Sequence, residues 1–200
     1  HATATYQLTV TNPAGGTATQ DVTVSVNPGF YETTNDLSDA RKLHSMTLME
    51  DGTAVVAGGY NTDHEDSAYA FTSGTHSGSF APFVNLTNPR SEHVAIRLPN
   101  GNLMLAGGVT SGTTAVKTVE FVTPLGVSSA GPDLAVARKG ATATLLANGK
   151  VLVVGGIDHT GAVLSSAELY DPSTGGTLTG SLTTARYNHT ATLLNNGTGA

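Results

Sequence analysis

The chain has 200 residues, 24 of them glycine, and no cysteine, which excludes disulfides, thiolate metal sites and cysteine nucleophiles within it. Nine Lys or Arg stand against 15 Asp or Glu, a formal net charge of −6, so the clustered cations that grip a nucleic-acid backbone are missing. No segment approaches 18 consecutive apolar residues, and none reads as a bilayer-spanning helix.

Residues 1–27 alternate with period two on either side of a turn. Tyr6, Leu8 and Val10 alternate with Gln7 and Thr9; after Asn12-Pro13-Ala14-Gly15-Gly16 come Val22, Val24 and Val26, interleaved with Thr23 and Ser25. This predicts a β-hairpin with one buried face, too small to be stable alone. Residues 28–39, opening on the turn-forming Asn27-Pro28-Gly29, read as a linker.

From residue 40 the sequence repeats. Arg41, Arg90, Arg138 and Arg186 recur, and Gly58-Gly59, Gly107-Gly108 and Gly155-Gly156 are spaced 49 and 48 residues apart. Each pair ends an apolar run that follows Asp51-Gly52, Asn100-Gly101 or Asn148-Gly149, with a further Asn196-Gly197 near the end. The units run over about 41–89, 90–137 and 138–185, with 186–200 an incomplete fourth. The clearest unit predicts strands at 142–146, 150–154, 166–170 and 177–182. Its Asn-Gly fits a two-residue hairpin loop with positive φ at both centres. The glycine pairs suit places where backbone passes too close to a neighbouring strand for a side chain. Four-stranded units of this length cannot bury their faces alone and pack radially as propeller blades. The expected fold is therefore all-β: about three four-stranded blades of a partial propeller and the start of a fourth, preceded by a hairpin. Completion of the ring is expected from further blades in the same polypeptide or from other copies of the chain.

These residues carry two resemblances. Leu152-Val153-Val154-Gly155-Gly156 with Glu168-Leu169-Tyr170-Asp171-Pro172, and Arg186-Tyr187-Asn188-His189 opening the next copy, resemble the kelch family of β-propellers. Kelch units usually place Trp in the fourth strand; this chain has none, and Phe80 and Leu178 are expected in that layer. The strands of 1–27 resemble the C-terminal end of a bacterial immunoglobulin-like domain. A kelch-like propeller with an immunoglobulin-like sheet is also similar to the galactose oxidase group of copper radical oxidases. No residue of that group's site carries over: Cys is absent, and neither Tyr170 nor Tyr187 lies in a recognisable ligand motif.

The repeated arginines are expected to hold carboxylates at the blade junctions, with Glu120 and Glu168 as partners, because a planar guanidinium grips a carboxylate bidentately. Three residues after each arginine stand His44, His93, Ala141 and His189. Three imidazoles around a central channel could converge on a metal, but hydrogen bonding within the fold is the favoured expectation. Asp63, His64, Glu65 and Asp66, with Asp158 and His159 in the corresponding loop of the third unit, are the candidate binding loops. Oxygen ligands there could hold Ca²⁺, although the spacing does not follow a calcium-loop pattern. No Gly-x-Ser-x-Gly elbow, phosphate loop or dinucleotide fingerprint occurs. The expected function is thus non-catalytic: a recognition or assembly module of a larger secreted or cell-surface protein, with an extracellular protein or glycan as partner. The alternative is a fragment of a galactose-oxidase-like enzyme whose catalytic residues lie elsewhere.

Overall fold

The computed structural model describes residues 2–11, 17–26, 36–73 and 78–194, with only the backbone of the first two segments. All regular structure is β, and the chain divides into two compact units, His1–Thr33 and Thr34–Ala200. In the first unit, β1 (Ala2–Thr11) pairs antiparallel with β2 (Thr17–Val26), in a register that sets Tyr6 opposite Val22 and Val10 opposite Ala18. Directly opposite residues share a sheet face, so the alternation seen in the sequence does define a hairpin. Its turn, residues 12–16, lies outside the described residues, as do 27–35 within the expected linker.

The second unit contains three four-stranded antiparallel sheets, each built from consecutive strands. Blade 1 comprises β3 (Ser45–Leu48), β4 (Ala54–Ala57), β5 (Ser67–Ser73) and β6 (Gly78–Asn85). Blade 2 comprises β7 (Val94–Arg97), β8 (Leu103–Ala106), β9 (Val119–Val122) and β10 (Ser128–Gly131). Blade 3 comprises β11 (Thr142–Leu145), β12 (Val151–Val154), β13 (Ser166–Asp171) and β14 (Gly175–Ser181). The innermost strands contact one another, β3 with β7 and β7 with β11.

The core lies between blades. Val55 and Ala57 of blade 1 pack with Leu103 and Leu105 of blade 2, and Met104 and Ala106 of blade 2 pack with Val151 and Val153 of blade 3. Both faces of β8 are therefore buried, which is why Leu103-Met104-Leu105-Ala106 is a continuous apolar run with no alternation.

The Asn-Gly turns differ from the two-residue loops expected. Leu146 N–H donates to Lys150 O, and Gly149 N–H donates back to Leu146 O. The loop therefore has three residues, with positive φ at Gly149 and not at Asn148. The Asn148 side-chain oxygen instead accepts the Lys150 N–H at 3.1 Å, and Asp51 and Asn100 do the same for Thr53 and Asn102. A type I turn closed by a left-handed glycine uses Asn for its side-chain acceptor, so its own φ stays negative. Asn196-Gly197 lies outside the described residues.

In the fourth-strand layer Phe80 packs on Phe71, with ring centroids 4.9 Å apart. Leu178 does not take the equivalent role and is exposed. Among the described residues of the fourth unit, 186–194, no strand forms.

Candidate functional site

The glycine pairs sit where one blade meets the next. Gly58 and Gly107 have φ near +60°, and a Cβ on either would be driven into the carbonyl oxygen of the following unit's arginine, Arg90 or Arg138. The second glycine of each pair donates its N–H to that same carbonyl: Gly59 to Arg90 at 2.8 Å, Gly108 to Arg138 at 2.9 Å, Gly156 to Arg186 at 2.9 Å. Only glycine permits both the left-handed backbone and this approach.

The arginine side chains turn inward, into their own blades. Arg90 is fully buried and reaches Glu120 at 3.1 Å, Gly107 O and Thr118 O. Glu120 also accepts the Thr87 N–H at 2.6 Å and the Ser128 hydroxyl. Arg138 and Glu168 form the equivalent buried pair at 2.6 Å; Arg138 donates to Gly155 O and Ser166 O, and Glu168 accepts the Ala135 N–H. Burial pulls both guanidinium groups below their usual range, and the paired carboxylate opposes that pull. Arg41 meets an aromatic ring where the other two arginines meet a carboxylate. Tyr69 occupies the position of Glu120 and Glu168 in the strand register, and Arg41 lies over its ring at 5.2 Å while donating to Gly58 O and Ser67 O. Arg186 is exposed, and its Nε donates to Thr184 O.

The histidines do not converge. His93 is half-buried against the preceding blade with Nε2 2.8 Å from Ser45 Oγ. Burial, reinforced by Arg90 and His44, pushes its pKa down to about 3, so the ring is neutral. His189 makes the same contact with Thr142 at 3.1 Å. At the intervening junction the two positions are Val94 and Ala141, both packed into the apolar cluster between blades 2 and 3. Hydroxyl faces imidazole, or apolar faces apolar. This matched exchange is written in the sequence, at the fourth position after one arginine and the third after the next, but only the junction geometry reveals that the two positions touch.

Two features escape sequence reasoning. Leu43, Glu92 and Asn188 are the non-glycine residues with positive φ among the described residues, and Gly140 occupies the same place in its unit. Three of the four donate their N–H to the equivalent residue one blade earlier: Glu92 to Leu43 O at 3.1 Å, Gly140 to Glu92 O at 3.0 Å, Asn188 to Gly140 O at 2.8 Å. A backbone ladder thus runs from unit to unit. Gly140 and Asn188 suit the left-handed region; Leu43 and Glu92 hide the signal.

The loops after the glycine pairs share a base and differ at their tips. Tyr60 bridges to His64, Val109 to Ala115 and Ile157 to Val163, and each loop base is also bridged to the segment after the unit's arginine. In the first loop Asp63 and Asp66 are exposed. His64 is not: Nδ1 is 3.0 Å from Ser91 Oγ and Nε2 is 3.1 Å from Gly112 O, so its ring ties this loop to blade 2. The carbonyl can only accept, so Nε2 carries the proton and Nδ1 takes the hydroxyl. Glu65 supplies its backbone to the junction, accepting Arg90 N–H and donating to Gly59 O. In the third loop Asp158 accepts from Thr160 N–H, Thr160 hydroxyl and Ala162 N–H, which holds its carboxyl below the usual range, while His159 is exposed. Among the described residues no three His, Cys, Asp or Glu side chains are grouped to hold a metal ion. A cavity of about 140 Å³, lined by Met49, Val55, Phe83 and Pro124 with Asp51 at its edge, lies at the opposite end of the strands, beside the Asp51-Gly52 turn.

The kelch motif family matches residues 138–175. The solved structure of YjhT is similar with a TM-score of 0.61 at 14% sequence identity, over 74% of this chain and 54% of that one. The chain thus spans about half the length of that structure. No curated protein matches it.

Proposed function

We propose that this chain, built of kelch repeats folded into three four-stranded propeller blades, is a non-catalytic recognition module of a larger protein, binding through the loops that follow the glycine pairs. One observation carries this reading. The repeated polar groups Arg90, Glu120, Arg138 and Glu168 are buried and His93 is half-buried in contacts within or between blades, while Asp63, Asp66 and His159 on the loops are exposed. A rigid base repeated three times with tips that differ in sequence is suited to recognition, because the scaffold holds position and the tips supply specificity. Asp63, Asp66 and His159 are the tip residues we assign to that surface. An acidic, Thr-rich chain preceded by a hairpin of immunoglobulin-like sequence agrees with display outside the cell, where the partner is an extracellular protein or glycan.

Among the described residues, no observation favours the oxidase alternative, whose catalytic residues would lie outside this chain. Tyr170 is buried and donates its hydroxyl to Pro132 O at 2.8 Å, and burial together with Asp133 and Asp171 raises its pKa. Competition binding to glycans and extracellular proteins tests the proposal against an Asp63→Ala, Asp66→Ala, His159→Ala variant. Loss of binding with unchanged folding supports it, and binding that survives the triple substitution removes the proposed surface.

A further inference from the structure

The cavity beside the Asp51-Gly52 turn has its cause in the repeat. In the strand register Val55 opposes Ala70, as Met104 opposes Phe121 and Leu152 opposes Leu169. The three units thus place Ala, Phe and Leu at one position of the third strand. Between blades 2 and 3 that position is filled, because the Phe121 side chain packs against the apolar cluster there. In blade 1 Ala70 ends at its methyl group, and the cavity of about 140 Å³ lies against it.

The walls are apolar and the edge is charged. Met49 and Val55 are buried core residues, and Phe83 and Pro124 line the cavity with them. The register of β5 and β6 shifts here, Ala68 opposing Val84 and Tyr69 opposing Pro82, so Phe83 is the extra residue of a bulge. A bulge re-aims the side chain it carries. A cavity of about 150 Å³ with aliphatic and aromatic walls takes up benzene, so this one holds a single ring. At the edge, Asp51 accepts the Thr53 N–H at 2.9 Å. That bond and the Thr53 hydroxyl hold the exposed carboxyl below its usual range, and it is ionised at neutral pH. Among the described residues no Lys, Arg or His lines the cavity. Units 2 and 3 have Asn100 and Asn148 in place of Asp51. The carboxylate and the small third-strand residue therefore occur together, in the same unit.

We propose that this cavity binds a small organic ammonium ion bearing one ring, with the ring against Ala70, Val55 and Phe83 and the ammonium group at the Asp51 carboxylate. Burial of the ring supplies most of the affinity. The exposed ion pair adds little affinity but selects the sign of charge, since an anionic ligand would meet Asp51. The site lies at the opposite end of the strands from the loop tips and does not depend on their role.

Benzylammonium is the probe, with benzyl alcohol as its neutral counterpart and benzoate as an anionic one. Titrated into the full chain, benzylammonium should shift the methyl NMR signals of Met49, Val55 and Ala70 saturably, with a Kd of about 1 mM or tighter. Benzoate should leave those signals in place. Ala70→Phe copies blade 2 and Ala70→Leu copies blade 3. At least one should unfold at or above the parental midpoint, and in it the Met49 and Val55 shifts should disappear. Asp51→Asn copies the other two turns, whose Asn side chains make the same hydrogen bond. It should weaken benzylammonium roughly threefold to fivefold and leave benzyl alcohol unchanged. Shifts that fail to saturate, or that fall away from these methyl groups, overturn the proposal. So does affinity that survives filling at Ala70, or failure of both Ala70 variants to fold. Equal benzylammonium affinity in the parent and Asp51→Asn overturns the ammonium assignment.

Discussion

Blades 1 and 3 share a strand order, a glycine pair and an entering arginine, yet they treat that arginine differently. In blade 3 Arg138 is sealed from water against Glu168, which also fixes the Ala135 N–H on the incoming connection. In blade 1 Arg41 is half-exposed over Tyr69, whose hydroxyl meets Ser38. What the two share is the pair of backbone carbonyls each arginine holds, Gly58 and Ser67 or Gly155 and Ser166. The common task is to close the end of a blade. The carboxylate accompanies the two buried arginines, Arg90 and Arg138, and an aromatic ring takes its place beside the half-exposed Arg41.

The comparison predicts unequal costs. Arg138→Ala leaves Glu168 buried without its counter-charge and should destabilise by about 3–5 kcal/mol, whereas Arg41→Ala removes hydrogen bonds and a cation–π contact near solvent, about 1–2 kcal/mol. Urea unfolding of both variants checks this; equal losses would break the distinction. Tyr69→Glu sharpens it further: in a half-exposed site the new pair should change stability by no more than about 1 kcal/mol.

Glycines divide in the same way. Gly107→Ala sets a methyl against the Arg138 carbonyl in a left-handed backbone and should cost roughly 2–4 kcal/mol. Gly112 has a similar φ of +62°, and a methyl added there would meet no atom within 4 Å, so Gly112→Ala should cost only the conformational strain, about 1–2 kcal/mol. Thermal unfolding of the pair separates contact from conformation.

The junctions also differ in acid. His93 titrates near 6.5 when unfolded and near 3 when folded, so the unfolded chain binds the extra proton between those values. Its stabilisation is complete above about pH 6.5 and is lost as pH falls toward 3, with a slope approaching 1.4 kcal/mol per pH unit from this one group. The combined change Ser45→Val, His93→Ala copies the Val94–Ala141 junction and should flatten that part of the profile. An unchanged slope in the variant would assign the acid sensitivity elsewhere.

Much of this architecture is legible in the sequence because it rests on steric demands that few residues satisfy. The glycine pairs mark blade junctions since no other residue fits there, and the alternation of residues 1–27 fixes a hairpin. Side-chain roles are less legible. The Asn-Gly signal gives a turn but not its length, because Asn serves both as a left-handed residue and as a side-chain acceptor. The backbone ladder is invisible because Leu43 and Glu92 are held left-handed by the junction and not by their own preference. His64 reads as a loop-tip residue in sequence; its contacts to Ser91 and Gly112 lie 27 and 48 residues away, a distance that no local pattern spans.

The repeated polar residues hold the blades together, and the recognition surface we propose lies apart from them on the loop tips. The most direct test is urea unfolding of Arg138→Ala beside the Asp63→Ala, Asp66→Ala, His159→Ala variant. The account predicts a loss of about 3–5 kcal/mol for the first and a change within about 0.5 kcal/mol for the second. An Arg138→Ala chain as stable as the parent would contradict it.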